Sequence, residues 1–212
     1  MSEFYTPYRE KYGANVVKHY IHLNAPLKGY ADSKELSKNL TLGEIRKSSF
    51  VKDDEKNLFA YVPIDTRVIQ AFQILRDALG SPVTVNSSFR SVRYEISRKR
   101  TGESQHTYGK ALDLSGVGLV ELLTEALETK NKLYQRLRNV GVNAFGIYVE
   151  DNFIHIDVRE PKIDGGYALW FGGENEQSEE KKKSFGIMAV LTVLGIVLSV
   201  VGLVLRFKDW RR

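Results

Sequence analysis

The chain has 212 residues, 31 Lys and Arg against 26 Asp and Glu for a formal charge of +5, 42% hydrophobic and 11% aromatic residues, and no cysteine. This composition excludes a wholly disordered chain and suits one globular domain with appendages. The missing cysteine excludes a disulfide framework, thiol catalysis, iron–sulfur clusters and Cys-based zinc fingers. Basic residues gather between Arg90 and Arg100, at Lys181–Lys183 and in the tail after Arg206. None of these runs has the interleaved aromatics of a nucleic-acid reader, so no nucleic-acid partner is expected.

Residues 1–39 are Tyr- and Lys-rich with weak periodicity, an N-terminal extension without a defined element. It has no apolar core of a secretory signal peptide. His19 and His22 in this stretch would share a helix face, which without a nearby carboxylate is polar surface rather than a metal site. Thr41 followed by Glu44 predicts a helix N-terminus near residue 42. Asp65 to Leu79 carries Val68, Ile69, Phe72, Leu75 and Leu79 on one stripe and ends at Gly80, the pattern of an amphipathic helix. Ser81 to Asn86 reads as a strand. Helices are predicted over Val117–Glu128 and Lys132–Val140, and strands over Phe145–Val149 and Phe153–Val158, joined by a turn at Glu150–Asn152. Strands and helices mix without regular alternation, so the fold class is α+β.

A charged linker at 172–185 then leads to Gly186–Leu205, twenty residues without a charge. A helix of that length spans about 30 Å, the thickness of a bilayer core, which predicts a single transmembrane helix with the basic tail 206–212 behind it. Basic residues stand on both sides of the span, which leaves its orientation open.

Two segments carry the candidate chemistry, Ser104-Gln-His106-Thr-Tyr-Gly109-Lys-Ala111-Leu-Asp113 and Phe153-Ile-His155-Ile-Asp157-Val-Arg159. In a strand, side chains alternate, so His155 and Asp157 share one face while Ile154, Ile156 and Val158 turn into the core. Two histidines and a carboxylate make a three-ligand metal site with a fourth position open to water. On spacing alone, unrelated polar residues on surface turns would account for the same pattern.

The pattern Ser-x-His-x-x-Gly-x-Ala-x-Asp, followed about forty residues later by a hydrophobic strand with His-x-Asp, resembles the zinc D-Ala-D-Ala carboxypeptidase and endopeptidase family, peptidase family M15. That family's fold is shared with Hedgehog signalling domains. Asn86-Ser-Ser-Phe-Arg90 is similar to the family's Ser-Gly-Tyr-Arg strand end, with Ser88 in place of its glycine, a change expected to crowd the turn before Arg90 mildly. Leu40-Thr-Leu-Gly-Glu and Trp170 resemble features of its cell-wall branch. The resemblance covers residues 40–171 and implies an antiparallel sheet with flanking helices. It implies Zn2+ held by His106, Asp113 and His155. Arg90 would stand near a substrate carboxylate or the developing oxyanion, with Ser104 and Gln105 shaping the ligand loop. Tyr108 and Tyr148 stand where they could contact substrate.

One departure bears on mechanism. Many family members have an acid three residues before the last histidine ligand, and Asn152 occupies that position here. Asp157 on the ligand face of the strand, and Glu150 or Asp151 in the turn, are the candidate general bases by sequence, with Asp157 alternatively a partner that orients a ligand. The expected function is a membrane-anchored zinc peptidase acting on peptidoglycan stem peptides or crosslinks, in wall remodelling or phage-type lysis. Wall activity would place the domain outside the membrane. The alternative is a zinc-stabilised module that binds wall peptides without cutting them.

Overall fold

The computed structural model describes residues 20–23, 32–56 and 62–172. The apolar segment 186–205, residues 173–185 of the expected linker and His19 lie outside the described residues, within which no helix is long and apolar enough to cross a membrane. Among the described residues, nine strands and five α-helices follow in mixed order. The N-terminal stretch contributes β1 (Tyr20–Leu23), paired antiparallel with β4 (Val62–Asp65). His22 therefore stands on a strand, its backbone opposite Pro63, and not on the expected helix. β2 (Glu35–Ser37) pairs with β3 (Leu40–Thr41).

Helix α1 (Leu42–Lys47) begins with a capping box in which the Glu44 N–H donates to Thr41 Oγ1 at 3.3 Å and the Thr41 N–H donates to Glu44 Oε2 at 2.8 Å. Helix α2 (Thr66–Leu79) is capped by the buried Asp65, whose carboxylate accepts from the Arg67 N–H at 2.9 Å and from its guanidinium. Helices α3 (Val92–Ser97), α4 (Leu119–Thr129) and α5 (Lys132–Asn139) follow. Helix α4 starts two residues later than the spacing predicts, because Gly118 takes a left-handed conformation and leaves Val117 in solvent.

The central sheet runs β5 (Thr84–Ser87), β6 (Ala111–Ser115), β8 (Phe153–Asp157), β7 (Ala144–Tyr148), β9 (Ala168–Gly172). Its first four strands pair antiparallel. One face carries Leu112, Leu114, Phe145, Ile147, Ile154 and Ile156, all at 0% exposure, and α4 lies against β7 and β8. Each such side chain contributes about 1.5–3 kcal/mol on burial. A slip of one residue would turn all six outward, so the core pins the register. The same register fixes the opposite face, where Asp113, His155 and Gly146 stand side by side on three neighbouring strands.

Candidate metal centre

Asp113 and His155 face each other across the β6–β8 pair. His106 reaches them from the loop between α3 and β6. That loop closes on itself through the Gly109 N–H to His106 carbonyl bond at 3.0 Å and the Lys110 N–H to Gln105 carbonyl bond at 2.9 Å. Gly109 supplies the left-handed turn, φ +64°, that returns the chain to the sheet. His106 Nε2 lies 3.2 Å from Asp113 Oδ1 and 3.2 Å from His155 Nδ1, and His155 Nδ1 lies 2.8 Å from Asp113 Oδ1.

The outer nitrogens decide what the inner ones offer. His106 Nδ1 is 2.6 Å from the Ser88 carbonyl oxygen, which can only accept, so this nitrogen carries the proton. His155 Nε2 is 3.1 Å from Asp157 Oδ2, and the same reasoning places its proton there. When neutral, both imidazoles therefore aim lone pairs at the point where a carboxylate oxygen also aims its own; burial would lower His155, but its bonds to Asp113 and Asp157 push it up, toward the charged form. Three converging lone pairs repel one another unless a cation sits between them. Ligand atoms of a tetrahedral centre with bonds of about 2.0–2.1 Å stand about 3.3–3.4 Å apart, close to the spacings found here. His106, Asp113 and His155 thus fit a metal ion, and all three are largely withdrawn from water.

The charges around the triad are compensated. Burial alone would raise the Asp113 carboxyl, but His106 and His155 hold it well below the usual carboxylate range. Burial pushes His106 down, keeping it neutral. Arg90 Nη1 approaches the second Asp113 oxygen at 3.8 Å. The Arg90 guanidinium is itself backed by Glu95, 3.0 Å from its Nε, and Glu95 also accepts from Arg100 Nη1 at 3.0 Å. Glu95 is 1% exposed, a buried acid shared between two arginines. Asp157 is fully buried too. Burial would raise it, yet bonds from His155 and Arg159 bring it down to about 2.

The triad opens into a cavity of about 580 Å³ lined also by Arg90, Arg100, Glu103, Ser104, Gln105 and a wall of Tyr148, Phe153, Arg159 and Trp170. Trp170 lies over Gly146, with its indole N–H donating to the Tyr148 hydroxyl at 2.9 Å and its ring 5.1 Å from that of His155. A Cβ at position 146 would stand 2.6 Å from Trp170 Cε2, so only glycine leaves room for the indole.

Of the residues singled out in the sequence, His106, Asp113, His155, Arg90, Ser104, Gln105 and Tyr148 meet at this cavity. Tyr108 does not line it. Glu150 stands exposed in the β7–β8 turn, away from the cavity lining. Asp157 sits behind His155, on the nitrogen opposite the metal side, and both its oxygens are engaged by Arg159 or His155. Asn152 takes φ +49° at the exposed tip of the turn, a left-handed position that asparagine tolerates well. Ser88 does not crowd its turn. Its hydroxyl donates to the Ile45 carbonyl at 2.9 Å and meets the Ser48 and Ser49 hydroxyls, which anchors the carbonyl that holds His106. Glu95 and Arg159 escaped the sequence reading as site residues. The one signal for Glu95 was a lone acid five residues from each of two arginines.

A mixed α+β fold with a buried two-histidine, one-aspartate cluster at the floor of a polar cavity defines a candidate metallohydrolase. The family model described as Peptidase M15 matches residues 38–157, more than half of the chain. The chain belongs to peptidase family M15, whose members are metallopeptidases. No curated protein and no solved structure matches it.

Proposed function

We propose that this protein is a zinc peptidase that hydrolyses peptide bonds in peptidoglycan stem peptides or crosslinks, held at a membrane by a helix over residues 186–205. The observation that carries the reading is the convergence of His106 Nε2, His155 Nδ1 and Asp113 Oδ1 within 3.2 Å of one another, with both outer imidazole nitrogens bonded. Zn2+ held there supplies a Lewis acid and a water whose pKa falls to about 7.

The chain's own residues do the rest. Ser88 and Asp157 hold the two imidazoles in the tautomers that present lone pairs. Arg90, at the edge of the triad, stabilises negative charge as it grows on the scissile carbonyl oxygen. The Tyr148–Trp170 wall keeps bulk water from one side of the cleft. Asp157 acts through His155, because its oxygens are already engaged. Glu103 is the acid other than Asp113 that lines the cavity, and in this reading it accepts the proton from the attacking water. The antiparallel pairing of β5, β6, β8 and β7 supports the Hedgehog-type fold that the resemblance implies.

Full-length protein loaded with Zn2+ is expected to cleave crosslinked muropeptides. His106→Ala is expected to drop zinc content to background and abolish turnover. Muropeptide binding without cleavage by the zinc-loaded wild type would select the non-catalytic module instead. Protease protection on spheroplasts reports the side of the membrane on which the domain lies, with digestion from outside expected for a wall enzyme.

A further inference from the structure

Arg159 lies outside the metal cluster, yet it is built into the cavity wall. Its Nε donates to Asp157 Oδ1 at 2.8 Å and its Nη2 to Oδ2 at 2.6 Å, while its backbone N–H donates to Oδ1 at 3.0 Å. Asp157 is completely buried and belongs to a core strand, so the guanidinium is locked in one orientation. The locked fork spends two of its three nitrogens on that pair. The side chain is still 38% exposed, lines the cavity, and its Cζ lies 5.7 Å from the Trp170 ring.

A brace for Asp157 alone needs neither the exposure nor the aromatic support. An arginine pre-organised from behind by a buried carboxylate loses little further entropy when it binds an anion in front. Planar carboxylates are its natural partners. Through Asp157 Oδ2, Arg159 is linked to the His155 side of the triad by bonds of 2.6 and 3.1 Å, whereas Arg90 stands on the Asp113 side. At about 3.3–3.6 Å per residue, an extended peptide spans these two bonds and the imidazole between them and the metal side within about three residues.

We propose that Arg159 recognises a carboxylate of the substrate, so that this cavity takes an anionic peptide whose carboxylate lies within about three residues of the scissile bond on the Trp170 side. This rests on the peptidase reading above for the word substrate, and on the cavity alone for the anion. Arg159 is thereby a specificity-determining residue, distinct from the metal ligands.

The experiment uses zinc-loaded full-length protein and stem peptides prepared in pairs, each carboxylate in turn replaced by its carboxamide. Binding is followed by calorimetry and cleavage by chromatography. The wild type is expected to prefer the free carboxylate at one position by about 10–100-fold, the range for a charge-assisted hydrogen bond. In Arg159→Gln that preference is expected to vanish while the zinc stoichiometry stays at one per chain. Arg159→Lys, which keeps the charge without the fork, is expected to retain part of it and serves if the Gln variant fails to fold. A wild type indifferent to every carboxamide replacement overturns the proposal. So does an Arg159 variant that weakens both members of a pair equally, the behaviour of a mere brace. Preference in binding without any cleavage leaves the anion site standing and removes the peptidase reading.

Discussion

The two imidazoles of the candidate metal centre are held in opposite ways. His155 leans on a charged group, Asp157, two residues away on its own strand and backed by the Arg159 fork. His106 leans on a neutral backbone carbonyl eighteen residues away, that of Ser88. The Ser88 carbonyl is placed only because Ser88 is tied to the end of α1 through Ile45, Ser48 and Ser49. Strand geometry alone nearly guarantees the first support. The second exists only if α1, the end of β5 and the ligand loop dock together. A charged partner raises the basicity of its imidazole more than a carbonyl does, so the two sides of the site are unequal in strength as well as in origin.

The largest effect is expected on the charged side. Asp157→Asn removes the carboxylate from both His155 and Arg159, and metal affinity should fall by about 10–100-fold, read by competition with a chromogenic chelator. An unchanged affinity would show that the two supports are equivalent. Gly146→Ala strikes the same side from above, since its Cβ would stand 2.6 Å from Trp170 Cε2. Such overpacking costs about 1–3 kcal/mol in thermal or denaturant unfolding, and the displaced indole should change its fluorescence.

The neutral side should respond more weakly. Ser88→Ala keeps the carbonyl but cuts the hydroxyl tie to α1, while the Ile45 carbonyl still accepts from Ser49 Oγ at 2.6 Å. About 1 kcal/mol of stability should be lost, together with a metal affinity loss smaller than that of Asp157→Asn. If the serine variant loses more metal affinity than the aspartate variant, the ranking of the two supports is reversed. Thr41→Ala is the mildest change. Removing one half of the α1 capping box should cost about 1 kcal/mol or less, with metal stoichiometry intact. A loss of metal from that variant would mean that α1 as a whole, and not only its Ser48 end, positions His106.

The same contrast separates what was legible from what was not. The His155–Asp157 pair, the inward Ile154 and Ile156, and the Thr41–Glu44 cap are local patterns, and the structure contains each of them. The roles of Ser88, Glu95 and Arg159 depend on which distant groups they meet. Ser88 looked like a crowded substitute for glycine, yet its hydroxyl finds partners forty residues upstream. Asp157 looked free to take a proton, and its partners in the folded chain occupy it. The N-terminal strands β1 and β2 went unseen because segments of four and three residues are too short for their alternation to stand out, and their pairing with β4 and β3 is a tertiary event.

By itself the amino-acid order determined the α+β class and the strand face shared by His155 and Asp157, because periods of 2.0 and 3.6 residues are properties of the backbone, while the resemblance pointed to the three candidate metal ligands. Only the tertiary structure decided which nitrogen of each histidine faces inward, which arginines open onto the cavity, and that Trp170 closes it over Gly146. Those outcomes depend on strand register and loop docking between residues far apart in the chain. Close packing of the core selects them, and no local pattern encodes them.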